Sequence, residues 1–210
     1  MINQYIKNLP KCPDFDKSSD FLNAEDYYDY LNSFSKMVSP KKVLEIGVRY
    51  GYSGIAFCKD VESVERYVGL DYDLYDSKSS AYAEENIAFL MTSKNNFSYD
   101  LKKINTQYLT SLDFLNDETF DLIHVDGDHS FRGAIRDIAN FWNVLNIGGY
   151  MLIDDSFFYP TVRKAIEKML PVLDEPNYEI KSLRGTWVIK KTTELKFNIM
   201  TSDINEMGRN

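Results

Sequence analysis

Short apolar runs alternate with amphipathic segments along most of this chain. The periodicity predicts helices around 25–37, 52–60, 80–93, 130–145 and 161–173, and strands at 42–46, 67–70, 101–104, 122–125, 150–153, 178–183 and 186–190. Strands that alternate with helices indicate a parallel sheet covered by helices on both faces. The last two strands surround Arg184 and Gly185, which predicts an antiparallel hairpin at one side of the sheet.

The order of these segments predicts a single α/β domain with a doubly wound sheet. A chain of 210 residues is long enough to bury one core of ordinary size. We assign this domain to residues 25–191. Residues 1–24 are predicted to be a leader that wraps the domain or covers a site, and residues 192–210 a tail without a clear core pattern. For both segments, contact with another subunit and frayed chain ends are the alternatives.

Composition argues against several classes of protein. No apolar run approaches the roughly 18 residues of a membrane span, and the start of the chain lacks the apolar segment of a signal peptide, so a cytoplasmic location is expected. A net charge of -8 argues against a nucleic-acid partner and favours small or neutral substrates. Cys12 and Cys58 lie far apart without CxxC spacing, so they suggest neither a disulfide framework nor a zinc site.

A glycine-containing turn follows the first strand, in the sequence KVLEIGVRYGYSG. Gly47 and Gly51 allow backbone N–H groups to approach a ligand there. The dinucleotide fingerprint does not fit, because Arg49 and Tyr52 occupy two of its glycine positions, and the phosphate P-loop does not fit because no GK[ST] follows. A tight strand-to-helix turn without a ligand is the alternative to a binding site here.

The residues around these glycines suit a ligand that carries both charges of an amino acid. Glu45, at the end of the strand, and Ser53 lie beside the exposed amides, an arrangement suited to an ammonium and a carboxylate group. The second strand ends at Asp71, whose carboxylate can accept both hydroxyls of a ribose. An amino-acid site and a ribose site on adjacent strands together describe S-adenosylmethionine.

Carboxylates also follow two later strands. Asp126 ends the fourth strand in IHVDGDHSF, and Asp154 with Asp155 ends the fifth. If these strands are neighbours, the carboxylates converge at one edge of the sheet, and they repel one another unless a proton or a cation lies between them. Oxygen ligands suit Mg²⁺, so a divalent metal is the more economical prediction.

A histidine lies three residues after the first of these carboxylates. His129 has the unperturbed pKa of a base that works near neutral pH, and a metal-bound hydroxyl group needs such a base. His124, inside the fourth strand, is predicted to be a packed core histidine. For Asp128 we expect a cap on the helix that begins at Ser130, with contact to a substrate or to His129 as alternatives.

With these motifs, the sequence over about residues 40–190 resembles the class I S-adenosylmethionine-dependent methyltransferases. The resemblance implies a Rossmann-like, doubly wound sheet of seven strands with a reversed last strand. It also implies a set of cofactor-binding residues: Glu45, Gly47, Gly51 and Ser53 at the methionine end, Asp71 at the ribose, Tyr72 and Thr106 on the two sides of the adenine, and Asp126 as a further contact.

The DGDH sequence sharpens the resemblance to the metal-dependent O-methyltransferases. In the branch that methylates sugars of macrolide antibiotics, such as macrocin O-methyltransferase, a histidine stands at the position of His129, where other branches have lysine. The resemblance implies Mg²⁺ or Mn²⁺ bound by Asp126, Asp154 and Asp155, and catalysis by His129 together with Asp126. It further implies a small hydroxylated acceptor, and it allows a homo-oligomer.

Two other functions are compatible with the sequence. A methyltransferase without a metal could use the acidic cluster to bind an amine or acid acceptor. A cofactor-binding protein without activity could serve as a partner subunit, because fold alone does not establish function. Phe157, Phe158 and Tyr159 follow the acidic pair and are predicted either to stack on an acceptor or to pack beneath a loop.

Overall fold

The computed structural model describes residues 2–9, 25–74, 78–92, 94–173, 177–179 and 185–200. The helices are α1 (Ile2–Lys7), α2 (Glu25–Val38), α3 (Tyr52–Cys58), α4 (Lys78–Met91), α5 (Phe131–Trp142) and α6 (Pro160–Met169). The strands are β1 (Lys42–Ile46), β2 (Arg66–Asp71), β3 (Ser98–Lys103), β4 (Phe120–Val125), β5 (Leu145–Ile153), β6 (Asn177–Glu179) and β7 (Trp187–Lys190). Within this part of the chain, no helix has the length and apolar character that crossing a membrane requires.

The described strands form one sheet of seven in the order β3-β2-β1-β4-β5-β7-β6. Strands β1 to β5 run parallel, and β7 is antiparallel to both of its neighbours, β5 and β6. The predicted doubly wound sheet with a reversed last strand is therefore confirmed. The order of strands changes direction between β1 and β4, and α/β sheets bind ligands beyond the carboxyl ends of the strands at such a switch point.

Each face of the sheet carries its own apolar layer. Side chains alternate along a strand, so Val43 of β1 packs with the helices α2 and α3, whereas Leu44 and Ile46 pack with α5 and α6. The first layer also contains Ile6 of α1, a helix that the sequence analysis did not predict. This helix is held to α2 where the backbone N–H at Ile2 donates to Asp29 at 2.7 Å.

The two cysteines have different positions relative to the structure. Cys58 is a buried free thiol at the end of α3, and burial raises its pKa above the ordinary value. The thiol is therefore an unreactive packing group, in agreement with the interpretation of the sequence. Cys12 lies outside the described residues.

The element boundaries differ most from the prediction after α5. The helix ends at Trp142 rather than near residue 145, and β5 begins at Leu145 rather than at residue 150. Pairing between β4 and β5 continues across a register shift, and Gly148 adopts a positive φ of 84° inside β5. Because this part of the strand is rich in glycine and polar groups, it lacks the apolar run used to place strands.

Side chains at the C-terminal end of α5 form hydrogen bonds with the backbone of the tail at residues up to Met200. The side chains of Asn140 and Asn143 each donate to and accept from one tail residue, Met200 and Phe197 respectively, at 2.7 to 2.9 Å. Phe197 and Ile199 also pack against the apolar layer on the α5 side. The sequence shows no pattern for this attachment because the backbone, which is the same in every residue, makes the polar contacts.

The buried side chain of Lys191 caps backbone carbonyl groups at the C-terminal end of α5 and at the start of β5. It is only 2% exposed, and its Nζ donates to the backbone oxygens of Trp142 and Leu145, both at 2.9 Å. Because Lys191→Met removes the donor from two buried carbonyls, we expect the free energy of unfolding in urea to fall by roughly 2–4 kcal/mol. Lys190→Met, at the neighbouring half-buried position, should change it by less than about 1 kcal/mol. Equal losses in the two variants would contradict the capping role.

Candidate active site

A cavity of about 600 Å³ opens at the carboxyl ends of the parallel strands, at the switch point of the sheet. Its walls are Ile46, Gly47, Arg49, Leu70, Asp71, Tyr72, Ile104, Asn105, Thr106, Gln107, Asp126, Gly127, Asp128, His129, Asp155 and Tyr159. Seven residues predicted from the sequence to bind or react are among them: Gly47, Asp71, Tyr72, Thr106, Asp126, His129 and Asp155. Four others are not: Glu45, Gly51, Ser53 and Asp154.

The glycine turn forms the wall next to β1. Gly47 has a φ of 90°, and a Cβ at this position would lie 2.0 Å from the backbone oxygen of Asp126, so no other residue fits. The carboxylate of Asp71 accepts the backbone N–H groups of Val48 and Arg49, both at 3.0 Å. The other oxygen of Asp71 accepts the backbone N–H of Asp73 at 3.1 Å. These bonds tie the turn to the end of β2, so Asp71 shapes the cavity through the backbone as well as lining it.

The wall after β2 and β3 contains the residues predicted to surround a ribose and an adenine. Tyr72 is 68% exposed at the cavity mouth, whereas Thr106 is 7% exposed and forms part of the inner wall. Asn105 and Gln107 line the same wall, and the sequence analysis did not single them out. Their available signal was the polar composition of INTQY, which indicates a loop but not a binding role.

Glu45, Gly51 and Ser53 lie behind the glycine turn rather than at the cavity surface. Glu45 is fully buried, and its carboxylate accepts the hydroxyl groups of Ser53 and Tyr67. Gly51 has a φ of 79° and precedes α3. The side chain of Glu45 follows the alternation of β1 toward the α3 face of the sheet, and for this reason the structure does not bring these predicted ligand contacts to the cavity.

Asp126, His129 and Asp155 form a cluster in the cavity wall. One donor atom from each of them lies within 4.8 Å of the others. His129 Nε2 is 3.2 Å from Asp126 Oδ1 and 3.5 Å from Asp155 Oδ2. Asp155 has a φ of 60°, an uncommon conformation for aspartate that redirects its side chain after the strand. Two carboxylates and an imidazole at these distances are donors that divalent metals use.

Asp154 lies outside this cluster. The strands β4 and β5 are neighbours, as the predicted convergence of carboxylates requires. However, Asp154 is 1% exposed, and its carboxylate accepts the hydroxyl groups of Tyr27 and Thr186 on the other face of the sheet. The structure therefore brings together two of the three predicted metal ligands, Asp126 and Asp155.

His124 is buried, as predicted, but it also joins polar side chains. It is 0% exposed, its Nδ1 lies 3.0 Å from Glu45 and its Nε2 lies 3.3 Å from the hydroxyl of Tyr27. Burial by itself lowers the pKa of His124, but the hydrogen bond and charge of Glu45, followed by the nearby aspartates, raise it above the ordinary value. A buried polar chain thus runs beneath the cavity from Glu45 to Asp154. The role of Tyr27 in this chain was not predicted, because the sequence of α2 does not show which strand the hydroxyl group of Tyr27 reaches.

Neighbouring side chains hold His129 at the cavity. The ring of Tyr159 lies 4.1 Å from the imidazole at an interplanar angle of 31°, and the hydroxyl of Thr161 donates to the backbone oxygen of His129 at 2.6 Å. Burial by itself lowers the pKa of His129, but the hydrogen bond to Asp126 and the surrounding carboxylate charges raise it above the ordinary value. Tyr159, predicted either to stack on an acceptor or to pack, therefore packs on the imidazole.

Asp128 supports the turn that leads into α5. Its Oδ1 accepts the backbone N–H of Ser130 at 2.8 Å. Ser130 is the residue that caps the helix, because its hydroxyl oxygen accepts the N–H of Gly133 at 3.0 Å. The N-cap of α5 is therefore Ser130 and not, as the sequence predicted, Asp128. Asp128 instead holds the backbone of Ser130 in position.

Comparison with known proteins shows the family to which the chain belongs. A model of the methyltransferase domain family matches residues 44–156, which is the segment from β1 to the turn after β5. The chain belongs to the methyltransferase domain family. The sequence-based prediction of a methyltransferase is thereby confirmed, and the matched segment contains Gly47, Asp71, Asp126, His129 and Asp155.

Solved structures share the fold of this methyltransferase at low sequence identity. The TDP-rhamnose 3'-O-methyltransferase of calicheamicin biosynthesis has a TM-score of 0.64 over 90% of this chain and 90% of its own, at 15% identity. An O-methyltransferase from Bacillus cereus in complex with S-adenosylhomocysteine has a TM-score of 0.60 over 91% of this chain and 100% of its own, at 18% identity. The S-adenosylhomocysteine-bound methyltransferase of Podospora anserina has a TM-score of 0.58 over 91% and 86%, at 16% identity. At such identities the likeness shows a shared fold.

Curated relatives match this methyltransferase over part of their length. An uncharacterized protein of Sinorhizobium fredii is 25% identical over 120 residues, which are 56% of this chain and 13% of the relative. An uncharacterized protein of Acanthamoeba polyphaga mimivirus is 24% identical over 149 residues, which are 64% of this chain and 62% of the relative. The match therefore spans less than two thirds of either relative.

Proposed function

We propose that this methyltransferase moves the methyl group of S-adenosylmethionine to a hydroxyl oxygen of a small molecule, a sugar or another natural product. A divalent metal assists, and His129 is the general base. The observation that carries the proposal is that the Asp126, His129 and Asp155 cluster lies in the same cavity as Asp71 and Thr106. A hydroxyl group must lose its proton to be methylated, and the cluster supplies groups suited to removing it.

The cavity residues fit the proposed cofactor. Asp71 offers a carboxylate to the ribose hydroxyls, and Tyr72 and Thr106 line the wall proposed for the adenine. Gly47 exposes its backbone toward Asp126 at the end proposed for the methionine group. A volume of about 600 Å³ lies within the usual range of cofactor sites. Glu45 and Ser53 then support the turn from behind instead of touching the cofactor.

The cluster residues fit a hard divalent cation such as Mg²⁺ or Mn²⁺. Asp126 and Asp155 offer carboxylate oxygens close to each other on one wall of the cavity. When bound, such an ion lowers the pKa of a hydroxyl group and stabilises the developing alkoxide. Two observations support these two residues as ligands: they follow adjacent strands, and the side chain of Asp155, whose φ is 60°, lines the cavity beside Asp126.

In the proposed reaction, the imidazole of His129 accepts the proton of the acceptor hydroxyl. The oxygen forms a bond to the methyl carbon while the bond between that carbon and the sulfonium sulfur breaks, so a methyl ether and S-adenosylhomocysteine result. Asp126, 3.2 Å from Nε2, stabilises the protonated imidazole. Tyr159 and Thr161 hold the imidazole in position through the ring contact and the backbone hydrogen bond.

The acceptor is proposed to be a sugar or a natural product of similar size. Phe157 and Phe158 follow Asp155 in the chain after Ser156 and are 72% and 57% exposed, so they offer an apolar surface on which a ring can pack. The resemblance of DGDH to the sugar-methylating branch supports the same class of acceptor.

Removal of metal tests this mechanism. With S-adenosylmethionine and a panel of hydroxylated sugars and natural products, we expect release of S-adenosylhomocysteine to fall about 100-fold or more in EDTA and to return with Mg²⁺ or Mn²⁺. Asp155→Asn should weaken Mn²⁺ binding by about 10-fold or more, because it removes a carboxylate from the cluster. The matched control Asp154→Asn should lower stability but leave Mn²⁺ affinity within a few-fold, since Asp154 faces the other side of the sheet.

Three other outcomes of these experiments would each support a different function or a different set of metal ligands. Activity that survives both EDTA and Asp155→Asn would support a metal-independent enzyme acting on amines or acids. Loss of Mn²⁺ affinity in Asp154→Asn equal to that in Asp155→Asn would restore Asp154 as a ligand. Tight binding of S-adenosylhomocysteine together with no transfer to any acceptor would support a non-catalytic partner protein.

A further inference from the structure

Asp137 on α5 is a buried acidic residue beside the cavity, and the proposed reaction does not use it. It is 0% exposed, and its Oδ1 accepts the side-chain amide of Gln107 at 3.2 Å. Its Oδ2 is buried and has no hydrogen-bond partner within the described part of the chain. Burial raises the pKa of Asp137 to about 7, although the hydroxyl of Thr106 and the backbone of Asp128 act to lower it.

One side of this carboxyl group reaches the loop after β3. Gln107 lines the cavity, and its amide nitrogen donates to both Asp137 and the hydroxyl of Thr106, the latter at 3.3 Å. The amide oxygen of Gln107 accepts from Arg136 at 3.4 Å. Two successive residues of α5 thus set the orientation of one cavity side chain, with its nitrogen toward Asp137 and its oxygen toward Arg136.

The other side of the Asp137 carboxyl group lies beneath the loop after β4. A Cβ at Gly127 would be 2.9 Å from Asp137 Oδ2 and 2.9 Å from the Cγ2 of Ile46, so the backbone of Gly127 rests directly on the carboxyl group. Gly127 also lines the cavity, between Asp126 and Asp128. The carboxyl group of Asp137 therefore lies under both the wall after β3 and the wall after β4.

Stability alone does not explain an acidic residue at this position. Removing a carboxyl group from water costs free energy, and at Asp137 the effect of burial on the pKa exceeds that of the Thr106 hydroxyl and the Asp128 backbone. The neighbouring buried positions Ile138 and Phe141 of α5 are apolar, as expected for a helix against a sheet. The carboxyl group of Asp137 faces Gln107 and the Gly127 backbone, which both line the cavity, so a requirement of the cavity accounts for an acidic residue here.

We propose that Asp137 is a positioning residue for the cofactor cavity, and that its carboxyl group holds two walls of the cavity, Gln107 and the Gly127 backbone, at the spacing that S-adenosylmethionine requires. The proposal rests on the proposed cofactor, and it is independent of the metal and of the acceptor. Walls that are fixed before binding lose less conformational entropy when the ligand enters, which increases affinity.

Asp137→Leu and Asp137→Asn test this proposal as a pair. Leucine removes the partner of Gln107, so we expect calorimetry to show S-adenosylhomocysteine binding weakened about 10-fold or more, as for one lost positioning hydrogen bond. Asparagine keeps an oxygen for Gln107 and resembles the neutral carboxyl group, so its affinity should stay within about threefold of native. In turnover assays the loss should fall on the KM for S-adenosylmethionine more than on kcat.

A control in the same helix separates positioning from general stability. Ile138→Val, at the next buried position, should lower the thermal midpoint by about 4 °C and leave S-adenosylhomocysteine affinity within about twofold. If the leucine variant does not fold, Asp137→Ser replaces it, because serine is too short to reach Gln107 and should show the same loss of affinity.

Three results would contradict the positioning role of Asp137 or the cofactor on which it rests. Native affinity in a folded Asp137→Leu or Asp137→Ser variant would overturn the proposal. Equal losses in the asparagine and leucine variants would also overturn it, because the oxygen retained for Gln107 would then have no effect. Failure of the native protein to bind S-adenosylhomocysteine would instead overturn the proposed cofactor.

Discussion

His129→Ala is expected to lower methyl transfer by about 100-fold or more, while affinity for S-adenosylhomocysteine stays within a few-fold. The imidazole lies on the cavity wall with Nε2 3.2 Å from Asp126 and 3.5 Å from Asp155, and these carboxylates favour the imidazolium that forms when His129 takes a proton. Asp71 and Thr106, which are proposed to hold the cofactor, come from other loops and remain unchanged in this variant. Product release and calorimetry measure the two expectations separately.

The same variant separates two roles for the imidazole. The geometry of the cluster allows His129 to act as a third metal ligand as well as a base. If it is a base, Mn²⁺ affinity should stay within a few-fold, and the acidic limb of the pH profile of kcat should be lost with the side chain. If it is a ligand, Mn²⁺ affinity should fall by about 10-fold or more.

A neighbouring residue provides the control for His129. Asp128→Asn keeps an oxygen that can accept the N–H of Ser130, so the turn before α5 should persist and turnover should remain within a few-fold. Turnover near the native value in His129→Ala would remove His129 from the mechanism, and a large loss in Asp128→Asn would show that the loop rather than the imidazole is sensitive.

Gly47→Ala is expected to lower the free energy of unfolding by roughly 3 kcal/mol or more. The added Cβ would lie 2.0 Å from the backbone oxygen of Asp126, and Gly47 already has a φ of 90° that disfavours alanine. Relief of this contact requires movement of either the glycine turn or Asp126, and both belong to the proposed site. Molecules that still fold should therefore also lose measurable binding of S-adenosylhomocysteine, which urea denaturation and calorimetry can establish.

Gly148→Ala is the matched control for this prediction. Gly148 has a similar positive φ of 84°, but a Cβ there would meet no atom within 4 Å. Its substitution should cost only the backbone strain, roughly 1–2 kcal/mol, with cofactor affinity unchanged. Equal losses of stability in the two variants would mean that the contact with Asp126 is relieved without cost.

Much of the fold could be predicted because it depends on periodicity. The five parallel strands and the closing antiparallel pair follow from apolar alternation and from turn residues. The prediction missed α1 and the first half of β5, where polar or glycine residues hide the pattern. The attachment of Phe197 and Met200 to α5 was also invisible, because backbone groups make it.

The site was predictable where a carboxylate lies at or just beyond the carboxyl end of a strand. Asp71, Asp126 and Asp155 lie at carboxyl ends that meet at one edge of the sheet, so their convergence in one cavity follows from topology. The choice between Asp154 and Asp155 was not predictable. They are consecutive, and the φ of 60° at Asp155 together with the hydrogen bonds of Asp154 determines which one faces the cavity.

Sequence alone determined the architecture, the family and seven of the residues that line the cavity. Tertiary structure alone decided that Glu45 and Asp154 turn into a buried chain and that Asp137 lies beneath Gly127. The physical reason is that buried polar groups must find partners, and those partners come from distant parts of the chain: Tyr27 and His124 are 97 positions apart. Local patterns specify which face of an element is apolar, but the destination of a buried polar side chain is set by the elements packed against it.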